Sequence, residues 1–154
     1  MSDSIFNPEQ FLDQVYEEAN DTKTIPVPEG EYLALVDDVK ARTWTSRDKM
    51  SSGISLDVVF DVQDENAKAA TGRDKVVMRY SFSLDLDAAG RIDFGRGKNI
   101  KLGKLREVLD MNTPGVPFSF LSMKGRMAKV FVTQRPSEDG QDIYNDIKSV
   151  SKVG

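Results

Sequence analysis

The chain has 154 residues with no cysteine and no histidine, and its 25 Asp and Glu outweigh 21 Lys and Arg to give a net charge of −4. Without thiols there are no disulfides, cysteine zinc sites or thiol nucleophiles. Without imidazole there is no Ser-His-Asp triad, histidine base or histidine-bound metal, so the composition favours binding over catalysis. The length and 39% hydrophobic content suit one globular domain with a modest core. Charge is unevenly placed. Residues 1–31 hold eight acids and one base, Lys23, for −7, and the remaining residues hold 20 bases and 17 acids, for +3.

The leader carries helix signals. Asn7 is a capping residue, Pro8 suits the first helical position, and Gln10 completes a capping box. Phe6 and Phe11 are placed for a hydrophobic staple. Phe11, Leu12, Val15, Tyr16 and Ala19 form an apolar stripe, with Glu9, Asp13 and Glu17 on another face. This predicts an acidic helical leader over residues 1–25, packed on the domain or acting on its basic face, and Ile25–Pro28 reads as an extended linker. The domain then spans 26–154.

Strand periodicity begins at Gly30. Tyr32–Lys40 is apolar-rich with an expected bend at Asp37-Asp38. Residues 54–62 alternate strictly, with Ile54, Leu56, Val58, Phe60 and Val62 opposite Ser55, Asp57 and Asp61. Residues 76–86 repeat the pattern, with Arg79, Ser81, Ser83 and Asp85 on the polar face. A helix is predicted from Asn99 to Asp110 with Leu102, Leu105, Val108 and Leu109 as its stripe, stopped by Thr113-Pro-Gly115. Strands at 127–134 and 142–150 complete the chain. The fold expected is mainly β: a five-stranded OB-like Greek-key barrel with a helix between strands 3 and 4 and an acidic N-terminal helix. A split β-sandwich is the competing arrangement.

Three groups are candidates for binding a polyanion. Arg42, Arg47 and Lys49 surround the single tryptophan, Trp44, in a Ser/Gly-rich stretch that reads as a mobile loop. A ring among cations suits single strands, because bases stack and phosphates meet charge, although the same tryptophan could cap a barrel end. Phe94, Arg96, Lys98, Lys101 and Lys104 belong to a run in which six bases face Asp93 alone. There, positive charge at a helix N-terminus opposes the dipole and points to an anion. Glycines at 95 and 97 fit neither a P-loop nor a dinucleotide fingerprint. Arg79, Lys129 and Phe131 lie on polar strand faces, with Phe131 either open for stacking or covered by the leader. Asp37-Asp38 and Asp85-Leu-Asp87 are the carboxylate pairs on which a Mg²⁺-dependent nuclease would rest.

Pro28-Glu-Gly-Glu-Tyr32, Gly72-Arg73, the helix Leu102-Gly-Lys-Leu-Arg-Glu-Val-Leu109, Leu121 with Lys124-Gly-Arg126, and Tyr144-Asn-Asp-Ile-Lys148 together resemble small phage-encoded OB-fold single-stranded DNA-binding proteins, over residues 26–152. The family includes a group catalogued as an uncharacterised phage domain. The resemblance implies sequence-independent single-stranded DNA binding in phage replication or recombination. It implies a site in the host cytoplasm. The family's acidic tail is usually C-terminal, whereas here the acidic segment is the leader, which on its own reading competes for the basic face or recruits replication or recombination proteins; the residues themselves give no expectation of catalysis or a cofactor. The different-class alternative is a protein-interaction module of a replication complex without DNA binding of its own. No apolar run approaches 18 residues, so no membrane segment is expected, and the exposed edges of an open barrel make homo-oligomers an expectation.

Overall fold

The structure, a computed structural model, describes residues 7–154. A short helix α1 (Pro8–Leu12) precedes β1 (Gly30–Thr45) and β2 (Ser52–Val62). Helix α2 (Glu65–Thr71) leads to β3 (Val76–Ser83), helix α3 (Ile100–Val108) to a 3-10 turn (Phe120–Met123), and β4 (Met127–Pro136) to β5 (Ile143–Ser151). All five strands form one antiparallel sheet in the order β3-β2-β1-β4-β5. The sheet curls so that β3 and β5, at its two ends, approach each other without joining in a ladder.

Alternation dictates the inner face. Leu56, Val58, Phe60 and Val62 of β2, Val76, Met78 and Phe82 of β3, and Ala128, Val130 and Val132 of β4 are buried together, and Leu102 and Leu105 of α3 cover one end. The bend expected at Asp37-Asp38 is a β-bulge, where the register with β2 shifts between Val36 and Asp38. Beyond the bulge, β1 pairs only with β2, which stays paired with β3 as far as Ser55↔Ser83, so this end of the sheet is an arm of three strands that narrows to β1 and β2 alone over residues 43–45 and 52–54 and ends at the Thr45–Ser52 pair.

Two sequence expectations change here. Residues 42–45 lie in β1, because pairing continues through Arg42↔Ser55 and Trp44↔Gly53. The loop is only Ser46–Ser51 and is tightly tied: Ser46 N–H donates to Ser51 O at 2.9 Å, Lys49 N–H to Ser46 O at 2.9 Å, and Met50 N–H to the Asp48 carboxylate at 2.9 Å. Ser46 also donates its hydroxyl to Asp48. Those two hydrogen bonds hold the Asp48 carboxyl below the ordinary aspartate range, the Ser46 hydroxyl most. The second change is α2, which the sequence reading passed over. Asp64 accepts from Ala67 N–H at 2.9 Å to cap it, and Gly72 closes it at φ 70°.

The leader is the largest correction. Asn7 does cap α1, accepting from the Glu9 and Gln10 amides, but the helix stops after five residues and no residue of it is buried. Phe11, Leu12, Val15 and Tyr16 are 57, 80, 91 and 62% exposed, so the apolar stripe packs on nothing among the described residues. An unpacked helix this short has little to sustain it. The staple partner Phe6 lies outside the described residues. The expected linker, by contrast, is built in. Val27 is 1% exposed, its N–H donates to Asn145 Oδ1 at 2.8 Å, and its carbonyl accepts from Asn145 and Gln134 at 2.9 Å each. Arg73 donates to Ile25 O at 3.1 Å. Residues 25–27 thus sit at the gap between β3 and β5, beside Val77, Arg79 and Tyr144.

Candidate nucleic-acid interface

The outer face of the arm carries the first candidate group. Arg42, opposite Ser55, and Trp44, opposite Gly53, project on one side of β1. The Trp44 indole lies over Gly53 so closely that a Cβ there would come within 2.8 Å of Cζ2 and 2.9 Å of Nε1. Glycine is what lets the ring lie down. Trp44 Nε1 is buried by this placement and has no hydrogen-bond partner among the described residues.

Arg42 is oriented from beneath. Its Nε donates to Asp57 Oδ2 at 2.9 Å, while 54% of its side chain stays exposed. Asp57 itself is only 4% exposed and also accepts from Ser81 Oγ at 2.6 Å. Burial pushes its pKa up, but the Ser81 and Arg42 hydrogen bonds and the charges of Arg42 and Arg79 outweigh burial and hold the carboxyl below its ordinary value. The polar side of β2 is therefore partly covered: Ser55 is 6% exposed and faces Ser83 with 3.4 Å between hydroxyls.

The surface continues across β2 to β3 and onward. Ser83, at the end of β3, borders a depression shared with Gly97 and Lys101 at the start of α3. Trp44 and Arg42 thus follow one another along β1, and from Arg42 the face crosses Ser55 of β2 to Ser83 and Lys101. Arg79 is exposed two residue pairs along β3 from Ser83. Arg47 and Lys49 are exposed at the tip of the arm, and Arg96 and Lys98 in the loop before α3. Lys49 holds a left-handed φ of 60°, which costs a residue with a Cβ about 1 kcal/mol. Lys49→Gly is expected to raise stability by about that amount, read as a higher urea midpoint at unchanged m.

The run before α3 is more ordered than its composition suggests. Leu86 and Ile92 form a bridge, and Asp87 accepts from the Ala89 and Arg91 amides at 2.9 and 3.0 Å. Asp85 receives the Asn99 N–H at 2.9 Å, and Asn99 returns its side chain to the Asp85 backbone at 2.7 and 2.9 Å. The anion expected beside the α3 N-terminus is therefore the chain's own Asp85. Phe94, 80% exposed, borders a cleft of about 760 Å³ under the inner face of the arm, bounded also by Ala41, Ile54, Leu102 and Phe118. Arg91 and Arg106 stand around it, and Arg106 lies over the Phe118 ring at 4.0 Å.

Three candidates fall elsewhere. Lys104 borders a depression between α3 and β5 that it shares with Glu107 and Asp110. Lys129 pairs with Glu31 at 3.9 Å, and Phe131, 39% exposed, lies opposite Glu31. Both sit beside the lower part of β1, and eleven residues of strand separate Leu33, the partner of Lys129, from Trp44. At about 3.3 Å per residue that is roughly 35 Å, so Lys129 and Phe131 do not join the arm. The acidic pairs are committed as well: Asp37 to Lys75 at 3.3 Å, and Asp38 to Lys124 at 3.7 Å and Lys40 at 3.8 Å. Among the described residues no three carboxylates are grouped to hold a metal ion, and no helix is long and apolar enough to cross a membrane.

Gly53, Asp57 and the Arg106–Phe118 pair are the residues that sequence reasoning passed over. The signal for Gly53 was a glycine within an alternating strand, but its meaning needs the register with Trp44. No family model matches the chain, and no curated protein matches it in sequence.

Proposed function

We propose that the protein binds single-stranded nucleic acid, DNA in the first instance, without sequence preference and without catalysis, on an OB-like barrel. The strand order β3-β2-β1-β4, with a helix in the connection that returns β4 beside β1, supports the Greek-key reading. The observation that carries the function is the run Trp44, Arg42, Ser83, Lys101, an aromatic seat followed by cations and hydroxyls crossing the strands. Bases stack on Trp44, and on Phe94 where the strand passes the loop before α3. Arg42, with only its Nε engaged, presents the rest of its guanidinium to a phosphate. Arg47, Lys49, Arg79, Arg96 and Lys98 extend the path. A role in phage replication or recombination follows from the resemblance of the sequence motifs.

The test is titration of Trp44 emission with poly(dT) over a salt series. Emission should change on binding, and log K should fall linearly with log salt at about −0.7 per phosphate contact. Lys49→Gly should make that slope shallower by about one contact, roughly 0.7. No emission change and no binding at low salt would overturn the proposal and favour a module that binds only protein.

A further inference from the structure

Two features lack partners among the described residues. One is the leader, where Phe11, Leu12, Val15 and Tyr16 are exposed among Glu9, Asp13, Glu17, Glu18 and Asp21, with no base before Lys23. The other is the cleft beneath the arm, about 760 Å³, with an apolar wall formed by Ile54, Phe118 and the 67% exposed Leu121. Around that wall stand Arg91 and Arg106 against Asp87 alone. The two are complementary in both respects. An apolar, acidic segment matches an apolar, basic cleft.

We propose that the leader of one chain docks in the cleft of a second copy, linking chains head to tail. Reach decides between this and docking in the chain's own cleft. The leader is fastened at Ile25 and Val27, through Arg73, Gln134 and Asn145. Gln134 lies two residues beyond Val132, the partner of Gly30, and so beyond the end of β1 that is farthest from the arm. The cleft lies at the level of Lys40, ten residues up β1, or roughly 33 Å at 3.3 Å per residue. Ten residues of chain separate Ile25 from Val15, and fully extended they span at most about 33–36 Å. Lys23 is fastened farther still from the arm, its Nζ donating to Gln141 O in the turn between β4 and β5. Val15 and Tyr16, eight and seven residues from Lys23, fall short of the chain's own cleft, and Phe11, within at most about 40–43 Å, reaches it only as a taut segment over a curved surface. A neighbour's cleft imposes no such limit. Because cleft and leader are different surfaces, the contact is heterologous and leaves a free leader at one end and a free cleft at the other, so it propagates. On the reading proposed above, successive chains would then lie contiguously along one strand.

The experiment is sedimentation equilibrium of the full chain at low salt without nucleic acid, so its outcome is separate from that of the poly(dT) titration. Weight-average mass is expected to rise with concentration above the 17.2 kDa of one chain, and to fall back with salt as the charge pairs are screened. A leader variant carrying Phe11→Ser, Val15→Ser and Tyr16→Ser, and a cleft variant carrying Arg91→Glu and Leu121→Ser, change only exposed positions. Each alone should remain at the mass of one chain. Mixed in equal amounts they should pair and stop at two, because one supplies the only working cleft and the other the only working leader. A full chain that stays single at every concentration, a leader variant that still associates, or a mixture that fails to pair would each overturn the inference.

Discussion

Asp57→Ala is expected to cost about 3 kcal/mol of stability, because it removes a nearly buried acceptor shared by Ser81 and Arg42 and leaves both donors without it. For a chain of this length that corresponds to a fall in Tm of about 6–12 °C. Urea denaturation should show a lower midpoint with unchanged m. The sign of the pH dependence follows from the depressed carboxyl. Its folded pKa lies below the ordinary 3.8, so the ionised group stabilises the fold fully above that value. That contribution is lost as pH falls through the lower folded value. The variant should therefore lose less stability on acidification than the native chain. Equal midpoints at neutral pH would mean that the Arg42–Asp57–Ser81 set contributes nothing. The variant also frees Arg42 to wander, so poly(dT) affinity should fall even where the fold persists.

Trp44→Ala is expected to weaken poly(dT) binding by about 1–3 kcal/mol, a loss of roughly 5- to 150-fold, with Trp44→Phe retaining most of the affinity. The half-buried ring contributes little packing beyond its contact with Gly53, so stability should change less than affinity. Gly53→Ala is the companion measurement. A methyl 2.8 Å from Cζ2 must drive the indole off its seat, and the emission of this sole tryptophan should shift toward that of a solvated ring. Undiminished affinity in Trp44→Ala would remove the ring from the binding path.

Much of the sheet was legible because alternation is a local property. β2 and β3 follow from the spacing of Leu56, Val58, Phe60 and Met78, Tyr80, Phe82, and the bulge from two adjacent aspartates. The helix α3 followed likewise from its leucines. Apart from α2, whose local caps at Asp64 and Gly72 were passed over, what failed was decided by partners distant in sequence. Arg42-Thr-Trp-Thr45 is polar enough to read as loop, and only its pairing with residues 52–55 makes it strand. The leader's cap was correct because Asn7 acts on amides two and three residues away, whereas the helix length required a surface to pack on. Asp57 read only as a position on the polar face, since nothing local announces that Arg42 and Ser81 will close over it.

The seam at residues 25–27 bears on how the chain assembles. Val27 and Asn145 are 118 positions apart yet hydrogen-bonded in both directions, a closure that gains nothing until the intervening strands are in place. The β1–β2 hairpin nucleates locally across a six-residue turn, and the seal forms last. By the same reasoning it is the first contact to yield in sub-global opening, which bares the edges of β3 and β5 while the rest of the sheet is intact. Residues 25–27 therefore act as a clasp across the open side of the curled sheet, laid down just before the first strand.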